Sequence, residues 1–328
     1  MKQKNDANYR EMFRDIVFGY SEIEFQNKTL FIKHLSVFDQ IHIDELRNKF
    51  LSAAKKRGIP TEEDYLIYLK ENDIWTSKDE NELKEKSKFL ESLHVTKKSL
   101  YLSSEIDNIN KQITDAEKEL INVKYKKLQL MTETCESYAD KRVSEHYVFL
   151  SFYKEKDLIN KEFCEEEVDE LSKNEMLELV NKYNYKYEVF NDLNIQKLTL
   201  EEFFSMYRPF CESINDFYNK SIFLLSTHQL KLIVYSRMFK SIFENYPKIP
   251  DQIKKDPDKI IDYVNAQDKA KTTLKNVDRD GASTIVGAKE SDYDNLGVGA
   301  NKSQSLSDML KSHGGKMDMK DLMKAMNK

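Results

Sequence analysis

Six histidines, His34, His42, His94, His146, His228 and His313, are the first side chains to weigh for acid–base work or metal ligation. No two stand four residues apart, and none belongs to a His-Glu-x-x-His motif, so no helix face gathers a zinc pair. The three cysteines, Cys135, Cys164 and Cys211, lie far apart without a Cys-x-x-Cys spacing. That pattern argues against both a disulfide framework and a zinc site, and they are expected as ordinary reduced residues. A phosphate cradle needs glycine where the backbone must approach the ligand. Neither Gly-x-Gly-x-x-Gly nor Gly-x-x-x-x-Gly-Lys is present, and a Gly-x-Ser-x-Gly nucleophile elbow is absent too. Asn276-Val277-Asp278-Arg279-Asp280-Gly281 supplies oxygen ligands and a glycine in calcium-loop order. It fails at position 12, where Gly287 replaces the bidentate glutamate, and at position 8, where Ser283 replaces an apolar residue; it reads as a polar turn. The acidic run Cys164–Glu170 reads as a helix start, where the macrodipole favours carboxylates. No catalytic residue, metal site or cofactor is therefore expected.

The elements that would position any site are clearer. Of 8 glycines only Gly19 and Gly58 precede residue 280, and 61–208 holds neither glycine nor proline. A stretch that long without breakers favours long helices over a turn-rich β fold. Thr61-x-x-Asp64, Ser77-x-x-Glu80, Ser172-x-x-Glu175, Thr199-x-x-Glu202 and Ser226-x-x-Gln229 fit or approximate capping boxes. The fold class expected is mainly α, with a small N-terminal β-hairpin, a helical body carrying a long coiled-coil-like helical hairpin, and a disordered C-terminal tail.

The hairpin is placed at 21–35. There Ile23-Glu24-Phe25-Gln26 and Thr29-Leu30-Phe31-Ile32-Lys33-His34 flank a turn at Asn27-Lys28. A helix from about Asp39 or Asp44 to Lys56 follows, ended by Gly58. Leu102, Ile106, Ile109, Ile113, Ala116, Leu120 and Val123 then recur at alternating spacings of four and three, an a/d seam that Lys127 interrupts. An earlier helix with Leu83, Leu90 and Leu93 could fold back along it as an internal antiparallel hairpin; the competing reading is an intermolecular coiled coil. Aromatic and aliphatic residues dominate 143–264, among them Phe149, Phe152, Phe204, Phe210, Ile233 and Val234, at spacings that need a core. Asp256-Pro257 starts a last helix as N-cap and N1 proline.

The expected organisation is 1–76, hairpin plus helices; 77–135, extended helical hairpin; 136–264, aromatic-rich body; 265–303, disordered linker; and 304–328, a short amphipathic segment. Polar and small residues fill the linker, too few apolar ones to offset ordering entropy. The last segment carries Leu306, Met309, Leu310, Met319, Leu322, Met323 and Met326 at helical spacing, split by Gly314-Gly315. Methionine adapts to a groove, so these seven residues are the expected partner-binding set. The charge, 52 basic against 57 acidic residues, gives a net −5, which excludes the usual strongly basic nucleic-acid binder. The first residues hold no apolar h-region, and the longest apolar run is Tyr65–Leu69. Neither a secretory signal nor a membrane span is expected.

The hairpin from Gly19-Tyr20-Ser21-Glu22 through Ile32-Lys33-His34, leading into Asp39-Gln40, resembles the opening of tail assembly chaperones and related tail or baseplate assembly proteins of contractile-tailed bacteriophages. Further similar stretches are Arg57-Gly58-Ile59-Pro60-Thr61-Glu62-Glu63, Glu136-Ser137-Tyr138-Ala139 and Phe217-Tyr218-Asn219-Lys220. The helix after Ser226 is another, ending in Lys248-Ile249-Pro250-Asp251 and Asp256-Pro257-Asp258-Lys259. The likeness covers about 1–265 and carries no chemistry, so it transfers no site residues. It implies a non-enzymatic morphogenesis protein, an assembly chaperone or accessory whose partners are phage tail or baseplate subunits. Its expected location is the host cytoplasm during assembly. The alternatives are a permanent virion subunit of neck, tail or baseplate, and, third, an α-helical enzyme.

Overall fold

The computed structural model describes residues 8–100, 102–164, 167 and 170–280. Among them, 8–85 with 120–257 form one compact unit, and 86–119 with 258–280 form another.

In the larger unit the chain opens with α1 (Tyr9–Phe18), started by Asn8, whose side chain accepts from Glu11 N–H, and ended by Gly19 in the left-handed conformation at φ 78°. Strands β1 (Tyr20–Phe25) and β2 (Lys28–Lys33) then pair antiparallel, with Ile23 opposite Leu30 and Phe25 opposite Lys28. The turn is Gln26-Asn27, at φ 48° and 60°, one residue before the expected Asn27-Lys28. A two-residue turn with positive φ at both positions matches the strand twist. Either register keeps the same side chains inward, so apolar pattern alone does not choose between them. The far end does choose: Gly19, fixed as the end of α1, accepts from His34 N–H at 2.8 Å.

The sheet gains a third strand that the sequence reading did not contain. Helix α6 (Cys135–Ser151) runs directly into β3 (Phe152–Tyr153), which pairs with Phe31 and Ile32 and gives the order β1-β2-β3. One face of the sheet is covered by α7 (Lys173–Val189). Ile23, Phe25, Leu30, Ile32, Val148, Phe152, Leu179 and Tyr183 form one core cluster there. A second core gathers α1, α8 (Asp192–Leu200) and α10 (Thr227–Asn245), after the short α9 (Ile214–Tyr218), around Met12, Ile16, Ile195, Leu198, Phe204, Leu232 and Ile233. Not every expected core residue is inside: Phe210 is 67% exposed and Val234 54%.

Helix α2 (Val37–Lys56) begins earlier than expected, because Ser36 and Asp39 make a reciprocal capping box. It ends as expected: Gly58, at φ 80°, donates to Lys55 O. Thr61 caps α3 (Glu62–Glu71), and Ser172 and Ser226 make full boxes at α7 and α10. Two expected boxes do not form. At α4 (Ser77–Ser99) the cap is Thr76 with Asp79, because Glu80 is engaged by Trp75 Nε1 at 2.9 Å and Lys127 Nζ at 3.0 Å. Thr199 lies buried at the end of α8, its hydroxyl donating to Gln196 O.

Helices α4 and α5 (Ser103–Leu130) run antiparallel as the seam requires, and Leu102 through Val123 of the seam are buried. In the larger unit Leu83 packs with Val123 and Trp75, and Lys127, the break in the seam, is neutralised by Glu80. In the smaller unit Leu93 packs against Ile109, Ile113 and Ala116, and Lys86 pairs with Glu119 at 2.7 Å.

A third helix completes the smaller unit. Helix α11 (Pro257–Asp280) starts at the expected proline but continues through 265–280, where a linker was expected. Ile260 and Ala266 are buried. Asp262, 9% exposed, accepts from Lys97 Nζ at 2.7 Å and Asn110 Nδ2 at 3.0 Å, tying α11 to both seam helices. The run Ala266-Gln267-Asp268-Lys269-Ala270-Lys271 is polar, but all of it except Asp268 consists of good helix formers. Asn276–Asp280 is therefore helical, in place of the expected polar turn.

Candidate protein-interaction surface

Among the described histidines and cysteines His34, His228, Cys135 and Cys211 are buried, His146 is half-buried, and His42, His94 and Cys164 are exposed. His34 and His228 meet inside the larger unit, ring centroids 5.4 Å apart, with Phe190 and Tyr187 packed around them. His34 Nε2 hydrogen-bonds Ser21 Oγ at 2.9 Å; its Nδ1 and both nitrogens of His228 lack a partner. Burial, aided by the neighbouring His228 and Lys186, holds His34 well below the ordinary imidazole range. Burial and Lys231 pull His228 down to about 4, against the opposing pull of Asp192. Both rings are thus neutral at pH 7 and closed to a substrate. Nothing in the sequence pairs them, since one directly follows β2 and the other lies in the first turn of α10.

Asp15, 3% exposed, accepts from Arg14 at 2.9 Å, and burial pushes its carboxyl up despite that partner. Cys135 and Cys211 are buried, with burial raising both thiols, while Cys164 is exposed. Such thiols are poor nucleophiles, because the thiolate is the reactive form. Among the described residues no group of three His, Cys, Asp or Glu side chains is placed to hold a metal ion, and no helix is long and apolar enough to cross a membrane. Two surface depressions accompany this interior: one of about 450 Å³ on α10 beside Glu212, and one of about 520 Å³ between β1 and α7.

What the surface does present is apolar. Ile222, Phe223 and Leu224 form a single 3-10 turn, and each is exposed, Phe223 by 60%. The turn packs beside the start of α2, fixed by Val37 N–H donating to Leu225 O at 3.0 Å and by a backbone bridge between Ser36 and Ser226. Phe38, 65% exposed, and Ile41, 51% exposed, stand one helical turn apart on that start of α2. The anchoring is firm on the inner side: Leu225 is fully buried, and Ser226 caps α10. Five large exposed apolar side chains therefore sit on two segments joined by these backbone contacts, above the buried Leu225. Contiguous exposed apolar patches on a folded protein mark interaction sites. The sequence reading missed this one, because Ile222-Phe223-Leu224-Leu225 resembles buried material and only Leu225 is buried.

Leu306, Met309, Leu310, Met319, Leu322, Met323 and Met326, the expected partner-binding set, lie outside the described residues, as does most of the 265–303 segment. Comparison with protein-family models, curated proteins and solved structures finds no match to this chain.

Proposed function

We propose that this protein acts without catalysis, by binding another protein, as an assembly chaperone or accessory in bacteriophage tail or baseplate morphogenesis. The observation that carries the interaction reading is the patch of Phe38, Ile41, Ile222, Phe223 and Leu224, set on two joined segments and left open to solvent. The sequence likeness described above supplies the phage setting. The occupant is an apolar segment of a tail or baseplate subunit, shielded until that subunit enters the assembly. Covering the exposed parts of these side chains supplies the apolar contribution to capture, against the freedom lost on association. The Met/Leu segment 304–328 adds a second, adaptable contact to the same subunit.

The test is copurification from infected cells with the tagged full chain, comparing wild type with Phe38→Glu/Phe223→Glu. Both positions are exposed, so the double variant should fold normally. Wild type should retain one tail or baseplate subunit, and the variant should lose at least about tenfold of it, a difference of about 1.4 kcal/mol. Equal recovery by both proteins would reject the patch. Stoichiometric presence in purified virions would favour the permanent-subunit reading over the chaperone.

A further inference from the structure

The geometry points to a second docking site on another face of the larger unit: the free edge of β1, which would accept an extended peptide with basic residues in alternation as an added strand. This surface is separate from the α2 patch and stands without it.

The sheet order leaves two edges. The β3 edge is covered by the chain that follows it, through a bridge from Tyr153 to Lys161 and bonds from Lys154 N–H to Asn160 O and Glu162 N–H to Phe152 O. The β1 edge has no such cover among the described residues. Which backbone groups face outward follows from the register. A two-residue turn makes its flanking residues, Phe25 and Lys28, a hydrogen-bonded pair, and such pairs alternate along an antiparallel ladder. Ile23 with Leu30 and Ser21 with Ile32 are then bonded pairs too, and so is Gly19 with His34, as observed. The N–H and C=O groups of Tyr20, Glu22 and Glu24 must point away from β2, to the open side. Among the described residues no backbone bond beyond the sheet engages them.

Beside that edge lies the groove of about 520 Å³, walled by Glu22, Ile23 and Glu24 on one side and by Glu178, Lys182 and Lys186 of α7 on the other, with Lys182 engaged by Glu178 at 3.4 Å and Lys186 by Glu11 at 3.6 Å. Gln26 Nε2 bonds Glu175 Oε1 at 3.0 Å and spans the groove's hairpin end. A strand edge facing a helix across a groove is a geometry that peptides fill by strand addition, with main-chain bonds giving affinity and alternate side chains giving specificity.

Charge selects the occupant. Glu22 and Glu24 share the solvent face of β1, opposite to the buried Ser21, Ile23 and Phe25. A second copy pairing antiparallel across this edge would set Glu22 against Glu24, and like charges directly opposite are destabilising. An incoming strand with lysine or arginine at every second position would instead meet both carboxylates. Glu22 already has Lys156 at 3.1 Å, whereas Glu24 has no ion pair among the described residues, so Glu24 is the stronger determinant.

The probe is a fluorescein-labelled (Lys-Val)3 peptide titrated into the full chain by anisotropy. Two comparison peptides are the same sequence N-methylated at its lysines, whose N–H groups would face β1, and (Glu-Val)3. The protein variants are Glu24→Lys and Glu24→Pro. Proline at position 24 removes only an outward N–H, which an edge strand tolerates, and thermal melting should show the fold retained. Saturable binding of (Lys-Val)3 is expected. It should weaken at least about tenfold on N-methylation and in both variants, and (Glu-Val)3 should bind at least about tenfold more weakly. The proposal is overturned by the absence of saturable binding or by equal binding of the acidic peptide. Affinity unchanged by N-methylation or by Glu24→Pro would also overturn it, since the contact would then be charge adhesion without strand addition.

Discussion

Replacing Ile113 with aspartate is expected to cost at least ~3–5 kcal/mol and to unfold the smaller unit near room temperature. Ile113 is 7% exposed and packs with Leu93, Ile109 and Ala116. An aspartate there has no cation among those neighbours, and an unpaired buried charge is more damaging than a cavity. Ile113→Val, which removes one methylene, should cost only ~0.5–1.5 kcal/mol. Hydrogen exchange is the measurement: amides of 103–119 and 258–269 should lose protection in the aspartate variant. Retained protection, with an unchanged melting profile, would show that the seam is not a buried interface.

Acid should weaken the larger unit before it titrates ordinary carboxylates. His228 is held at about 4, against the ordinary imidazole value of 6.5. The unfolded chain therefore takes up a proton as pH falls through about 6.5, while the folded chain does not until about 4. A group whose folded value is depressed by burial of its cationic form contributes fully above 6.5 and loses that contribution between 6.5 and 4. At ~1.36 kcal/mol per pH unit the loss is about 3 kcal/mol for His228. His34 is shifted in the same direction and steepens the slope. Asp15 acts oppositely, because its carboxyl is raised above 3.8, and its window lies at the acid end. Urea denaturation at pH 7 and pH 4.5 should show the loss, and His228→Phe should reduce the pH slope by about half or more while keeping the aromatic packing. An identical slope in the variant would place the titration elsewhere.

How much of this could be read from residues alone varies with how local the signal is. The seam of α5 was legible because its repeat lies within one helix. Ser172, Ser226 and Thr61 were legible as caps for the same reason. The Ser36 box escaped notice, although Asp39 stands three residues on, as the motif requires. The misplaced hairpin turn shows a different limit: inward side chains are the same in both registers, and only Gly19 at the end of α1 decides. Phe152-Tyr153 is too short to announce a strand, so neither the three-stranded sheet nor the β1 edge left uncovered among the described residues could be anticipated. The length of helix α11 is hidden because a polar run looks the same in a linker and in a helix, whereas Asp262 satisfies Lys97 and Asn110 from within that polar helix. The histidine pair and the apolar patch are tertiary facts. Each joins residues from distant parts of the chain, and the patch inverts the usual inference from apolar run to core.

On the reading proposed above, the α2 face holds a tail or baseplate subunit during assembly. Lys220 is exposed just before the Ile222–Leu224 turn and offers an amine at the edge of the patch. Lysine-reactive cross-linking in infected cells, followed by mass spectrometry, reads that position directly. The expected result is cross-links from Lys220 to a single tail or baseplate subunit, lost in Phe38→Glu/Phe223→Glu. Cross-links from Lys220 confined to its own chain, or links to that subunit that persist in the double variant, would contradict the account.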